Sequence, residues 1–265
     1  MSLPQGRRAV LAGMLALMGA GLTAAAAPTP VAPAPAAPWP GAVVLREQES
    51  LVIAHRGAAG LLEELAARAE RARHRIARIW GPVRPVVLLP ETDAEAAVLA
   101  GASGLTATAG MAALATADRV VVLPSGYARL SEVGRDVVIT HELVHVATGA
   151  TRGGRVPMWL SEGFADYVGY AGTGLDVRTA AAELAGEVRA GALPGGLPGP
   201  ADFAPGGARL AQAYQEAWLA CRYVAGRFGE RALVRLYGGD AETVLGLSAA
   251  EFTAGWRDYL AEVLA

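Results

Sequence analysis

Two histidines four residues apart, His141 and His145, stand in a segment that the sequence predicts to be one continuous helix. Ser131 is a favoured N-cap residue and Gly149 is a residue type at which helices commonly end, so the helix is expected to reach about Thr148. Residues at this spacing lie on one helical face, one turn apart. Both imidazoles can therefore reach one metal ion. A surface helix that carries two histidines is the alternative.

Glu142 lies next to His141 and projects from the helix at a different angle. That position places its carboxylate beside a metal-bound water and outside the ligand set. Zinc lowers the pKa of its bound water to about 7. A neighbouring carboxylate can then take the proton and pass it to a leaving group. Glu142 is therefore predicted to act as general base.

A second helix is predicted to begin in the segment PMWLSEGFADY, residues 157–167. A catalytic zinc has three protein ligands and one position open to water. Glu162, with sixteen residues between it and His145, is the candidate for the third ligand. Asp166 follows one turn later on the same face, where it can accept the spare ring N–H of a zinc-bound histidine. A solvated helix residue is the alternative for Glu162.

The segments HELVH and WLSEGFADY resemble the paired motifs of the gluzincin zinc metallopeptidases, the clan of the zinc aminopeptidases and thermolysin. The resemblance implies that His141, His145 and Glu162 hold one zinc ion per chain and that Glu142 is the base. It also implies a role for Tyr214, which matches a family tyrosine that donates to the oxyanion of the tetrahedral intermediate. A half-buried structural tyrosine is the alternative there.

The resemblance covers roughly residues 131–230 and is sharp only at the two motifs. The zinc aminopeptidases carry an acidic residue upstream that binds the free amine of the substrate. The nearest equivalent here, Thr108–Ala113, contains no acid, so a specific aminopeptidase is not expected. Residues 110–113 can instead offer a backbone edge to an extended peptide.

The first forty residues are expected to lie outside the folded domain. Residues 1–27 combine Arg7 and Arg8 with an apolar run and a small-residue end, the pattern of a secretory signal peptide. Export by the general secretory route or by the twin-arginine route would place the protein outside the cell or in the cell envelope. An uncleaved N-terminal membrane anchor is the alternative. Residues 28–40 are typical of a Pro/Ala-rich linker, which leaves residues 41–265 as the metallopeptidase domain.

The predicted elements are mixed strands and helices first and helices alone afterwards, which indicates an α+β fold. We expect a small N-terminal mixed sheet with helices, then a helical C-terminal half, in a zincin-like arrangement with the metal cleft between them. Hydrophobic residues make up 53% and charged residues 18%, as in a packed globular protein. The net charge of −2 gives no indication of nucleic-acid binding.

Three expectations concern single segments. Residues 177–190 are predicted to form one helix. Cys221, the only cysteine, lies in an apolar helical pattern and is expected to be buried and inert. A helix over residues 60–79 is expected to expose a solvated basic face, which consists of Arg71, Arg73, Arg75 and Arg78.

These observations predict a secreted zinc metallopeptidase that acts on peptide or protein substrates, without nucleic acid and without stable membrane insertion after signal cleavage. The rival prediction is a catalytically silent zinc-binding module of the cell envelope that binds peptides or cell-wall components. A zinc amidase acting on cell-wall peptides is a third possibility. The oligomeric state and the choice between endopeptidase and exopeptidase stay open.

Overall fold

The structure is a computed structural model that describes residues 37–102, 108, 110–153 and 156–265. The predicted signal peptide, residues 1–27, and most of the predicted linker lie outside the described residues. Trp39, near the end of that linker, packs against the hydrophobic core and meets the His55 ring edge-on at 5.7 Å between ring centroids. Among the described residues, no helix has the length and apolar character needed to cross a membrane.

The described strands form one mixed sheet in the order β1-β2-β3-β5-β4. The strands are β1 (Val43–Glu47), β2 (Ser50–Ala54), β3 (Val86–Leu89), β4 (Ala113–Ala115) and β5 (Val120–Val122). The three central strands run parallel, and the edge strands β1 and β4 pair antiparallel with their neighbours. Strands β2 and β5 are fully buried runs of mainly branched apolar residues, which is typical of the interior of a sheet.

The chain divides into two compact units. The first comprises the residues up to Ala77 and Pro82–Arg155, and the second comprises Arg78–Gly81 and Val156–Ala265. The helices that accompany the sheet are α1 (Leu62–Ile79), α2 (Asp93–Leu99), α3 (Pro124–Ala128) and α4 (Glu132–Thr148). Short 3₁₀ segments span Arg56–Leu61 and Ala150–Arg152.

The described residues of the second unit form helices that are joined by connecting segments. Its helices are α5 (Met158–Tyr170), α6 (Val177–Ala180), α7 (Ala182–Arg189), α8 (Leu210–Phe228), α9 (Glu230–Leu236), α10 (Ala241–Leu245) and α11 (Ala249–Leu264), with a 3₁₀ turn at Pro200–Phe203. Cys221 is fully buried in α8, as predicted, and burial raises the pKa of its thiol well above the usual value.

The α+β class and the small mixed sheet are confirmed, whereas the zincin-like relation stays a prediction. The prediction of one helix over residues 177–190 is wrong. The chain leaves the helical conformation at Ala181, with φ −106° and ψ 43°, and α7 begins at the next residue. The new helix start is supported by Gln215 of α8, whose side-chain oxygen accepts a hydrogen bond from the Leu184 N–H at 2.8 Å.

The prediction of a solvated arginine face on α1 holds for Arg71 and Arg78, which are exposed, and is wrong for Arg73 and Arg75, which are partly buried. Arg71 donates to Asp136, Arg75 donates to Thr140, and Arg73 donates to Glu70 on its own helix. Three of the four arginines therefore make hydrogen bonds within α1 or to α4.

Candidate metal centre

Helix α4 has the limits that its sequence predicts. The Ser131 hydroxyl accepts a hydrogen bond from the Gly134 N–H at 3.1 Å, which caps the N-terminus. At the other end Gly149 adopts a left-handed conformation with φ 72°, where a residue with a side chain would be strained. Both ends of the helix are thus determined by local chemistry.

His141 and His145 lie on a buried face of α4, at 0% and 1% exposure. Their rings meet edge-on with centroids 4.7 Å apart, and the two Nε2 atoms face each other at 3.0 Å. Two histidine nitrogens bound to a tetrahedral zinc at about 2.0–2.1 Å are about 3.3 Å apart. The separation of the two Nε2 atoms is therefore close to what a shared metal ion requires.

Glu162 lies in the first half of α5 and is also buried, at 1% exposure. The histidine nitrogens and a Glu162 carboxylate oxygen all lie within 4.8 Å of one another. This buried group of two imidazoles and one carboxylate could hold a metal ion, and its donor types suit a divalent transition metal. The tertiary structure thus brings together all three residues that the sequence predicts as ligands.

Glu142 is fully buried beside His141 in the helix. Its Oε2 accepts a hydrogen bond from the backbone N–H of Ala115, in the edge strand β4, at 2.7 Å. The bond gives this carboxylate a definite orientation. Sequence reasoning missed Ala115, because a three-residue strand of sequence Ala-Leu-Ala carries neither alternation nor strong β-propensity.

Asp166 is buried in α5, one turn after Glu162. Burial raises the pKa values of Cys221 and Tyr170, and the negative charge of Asp166 raises both further. Asp166 therefore lies near these two side chains. Its predicted contact with a histidine ligand stays a prediction.

Tyr214 is buried in α8, at 2% exposure, and its ring meets Phe203 edge-on at 5.2 Å between centroids. Phe203 belongs to the 3₁₀ turn within the Gly/Pro-rich segment, residues 191–207, that precedes α8. The packing fixes the plane of the Tyr214 ring. The predicted role of its hydroxyl as an oxyanion donor stays a prediction.

The chain was compared with known proteins at three levels. No protein-family model matches it, and neither a curated protein nor a solved structure shows significant similarity to it. The resemblance to the gluzincins therefore depends on the sequence motifs alone. The geometry of the buried group supports a metal site independently of any relative.

Proposed function

We propose that this chain is an exported zinc-dependent metallopeptidase in which His141, His145 and Glu162 hold one Zn²⁺ and Glu142 is the general base. The observation that carries the proposal is the buried group of two histidine nitrogens and one carboxylate oxygen within 4.8 Å. Three protein ligands of these types correspond to a catalytic zinc site, which keeps one coordination position open. Closed structural zinc sites have four protein ligands, most of them cysteines.

A bound Zn²⁺ would supply Lewis-acid polarisation of a peptide carbonyl and a water of lowered pKa. The chain itself supplies proton transfer. The Glu142 carboxylate can accept a proton from the attacking water and donate it to the leaving amine. The hydrogen bond from the Ala115 N–H to Oε2 supports this role, because it holds the carboxylate in one orientation.

Two further residues complete the proposal. Asp166 would orient a histidine ligand by accepting its second ring N–H, which sets the tautomer. Tyr214 would donate to the oxyanion that develops on the substrate carbonyl. The substrate class is peptide or protein, and the N-terminal pattern of residues 1–27 supports export.

The test compares purified wild-type protein with Glu142→Gln and with the control Glu63→Gln, a change on the exposed side of α1. Metal content is measured by elemental analysis, and cleavage is measured on casein and a broad peptide library. We expect about one zinc per chain in all three proteins. Glu142→Gln should lose at least about 100-fold in rate because the general base is removed, whereas Glu63→Gln should keep full activity.

Other outcomes separate the rival functions. One zinc per chain without cleavage by the wild type would favour the metal-binding envelope module. Cleavage confined to cell-wall stem peptides would favour the amidase. Iron instead of zinc would contradict the proposal, since two histidines and one carboxylate are also the ligand set of non-haem iron oxygenases.

A further inference from the structure

One face of α1 contacts one face of α4, the helix that carries His141 and His145. The arginine clasp is the name used here for Arg68, Arg71 and Arg75 on α1 with Glu132, Asp136 and Thr140 on α4. Beside it, Arg135 of α4 donates to Glu64 of α1. Residues at these spacings lie along one side of each helix. The clasp is thus a continuous polar seam between two helices.

Arg68 is the centre of the clasp and is only 4% exposed. Its Nη1 donates to the backbone carbonyl of Glu132 at 3.0 Å and to Asp136 Oδ1 at 2.7 Å, and its Nη2 donates to the Glu132 carboxylate. Its Nε donates to Glu64 on its own helix at 2.9 Å. The planar Arg68 guanidinium therefore fixes the position of the first turns of α4 relative to α1, through both backbone and side-chain bonds.

The clasp reaches the residue before the first histidine. Arg71 Nη2 donates to Asp136 Oδ1 at 2.8 Å, and Arg75 Nη1 donates to Thr140 Oγ1 at 3.4 Å. The Thr140 hydroxyl donates in turn to the Asp136 carbonyl at 2.7 Å. Because successive residues of a helix are about 100° apart, His141 lies on the face next to the clasp. A rotation or slide of α4 would displace both histidines together.

Within the clasp, Asp136 stays charged near neutral pH. Partial burial raises the pKa of Asp136, but hydrogen bonds from Arg71 and Arg68 outweigh it and hold this pKa below the usual value. Arginine is protonated throughout the working range of proteins. The bonds between the arginines and Asp136 therefore persist through the neutral pH range and do not act as a pH switch.

We propose that Arg68 is a positioning residue for the metal centre: by fixing the rotation and axial position of α4, it preorganises His141 and His145 for the ion. The inference rests on the proposed function, since it requires that the two histidines bind zinc. Metal sites require ligand positions defined to about 0.5 Å, so loss of this hydrogen-bond network lowers metal affinity even in a folded protein. Side chains that hydrogen-bond metal ligands directly commonly affect affinity by about 10–100-fold, and for Arg68, which acts through the backbone of α4, we expect the lower end of this range.

The test measures Zn²⁺ affinity by competition with a chelator, and the visible absorption spectrum of the Co²⁺-substituted protein. The variants are Arg68→Met and Arg68→Lys. The matched control is Arg73→Met, the same change on the same helix at an arginine that bonds Glu70 of α1. Leu51→Ala in the buried sheet is a second control, because it lowers stability away from the clasp.

We expect Arg68→Met to bind Zn²⁺ at least about 10-fold more weakly and to change the Co²⁺ spectrum. Arg68→Lys should recover only part of the affinity, because an ammonium cannot replace a planar fork. Arg73→Met and Leu51→Ala should keep wild-type affinity and spectrum. If Arg68→Met does not fold, Arg68→Lys and Asp136→Asn provide the same comparison.

Wild-type affinity and spectrum in the folded Arg68 variants would overturn this inference alone. A loss of affinity in Leu51→Ala equal to that in Arg68→Met would also overturn it, because general instability would then explain both. A wild-type protein that binds neither Zn²⁺ nor Co²⁺ would overturn the proposed function and this inference together. Metal binding without peptide cleavage would overturn only the proposed function.

Discussion

Glu216 on α8 is a buried acidic residue, only 5% exposed. Burial raises its pKa to about 7, although Arg209 opposes the shift by donating a hydrogen bond to Oε1 at 2.7 Å. The negative charges of Glu187 and Asp202 raise it further. These charged side chains line a cavity of about 340 Å³ next to the Gly/Pro-rich segment before α8.

We predict that the Glu216 carboxyl makes the protein less stable as pH rises towards 7. A pKa above the usual value of 4.5 means that the folded chain binds the proton more tightly than the unfolded chain. Its stabilising contribution is complete below about pH 4.5 and is lost as the pH rises through about 7. The loss amounts to about 3 kcal/mol in the free energy of unfolding.

Urea unfolding between pH 4.5 and 8 measures this dependence. Glu216→Gln should remove most of the fall in the unfolding free energy, whereas the exposed control Glu242→Gln should keep it. An unchanged pH slope in Glu216→Gln would mean that other groups determine the profile.

Among the helices, α5 and α8 pack so closely that one position requires glycine. A Cβ atom built on Gly163 would lie 2.2 Å from the Ala217 carbonyl oxygen and 3.0 Å from Cys221 Sγ. The backbone of Ala217 cannot move away as a flexible side chain could. Because Gly163 follows the candidate ligand Glu162, this contact also determines where α5 presents that carboxylate.

We predict that Gly163→Ala lowers the free energy of unfolding by about 1–3 kcal/mol through overpacking. Gly186→Ala in α7 is the matched control, because its new Cβ would meet no atom within 4 Å. That change should stabilise the protein by up to about 1 kcal/mol, since alanine favours helix over glycine. Denaturant unfolding of both variants provides the measurement, and equal stability of Gly163→Ala and wild type would contradict the packing argument.

Helices and strands that carry a strong local sequence signal were predicted well. The limits of α4 follow from Ser131 and Gly149, and the buried strands β2, β3 and β5 follow from their apolar runs. Strand β4 and the short helices α3 and α10 were not predicted, since three to five residues carry too little periodicity. The helix that starts after Ala181 is supported by a hydrogen bond from Leu184 to Gln215, 31 positions further along the chain.

For the molecule as a whole, the proposed metal adds stability that depends on its concentration. A ligand that binds only the folded state stabilises it by about 4 kcal/mol at 1,000 times its Kd. We therefore predict that a chelator such as EDTA lowers the thermal midpoint of the wild-type protein and that added Zn²⁺ restores it.

His141→Ala removes one nitrogen ligand and should make the thermal midpoint insensitive to chelator. His74→Ala is the matched control at an exposed histidine of α1 and should respond as the wild type does. A chelator effect of equal size in His141→Ala would show that the stabilising metal binds somewhere else.

The sequence alone determined the features that arise within one element. His141 and His145 share a face because a helix repeats nearly every four residues, and the helix ends where its own capping residues stand. The motif around Glu162 also predicted that residue as the partner of the two histidines. Only the tertiary structure decided which other distant groups meet these faces: the Ala115 N–H on Glu142, and Arg68 across the first turns of α4. The physical reason is that the periodicity of a sequence indicates which side of a helix or strand is buried and which is polar. Which residues then pack against that side depends on segments far apart in the chain.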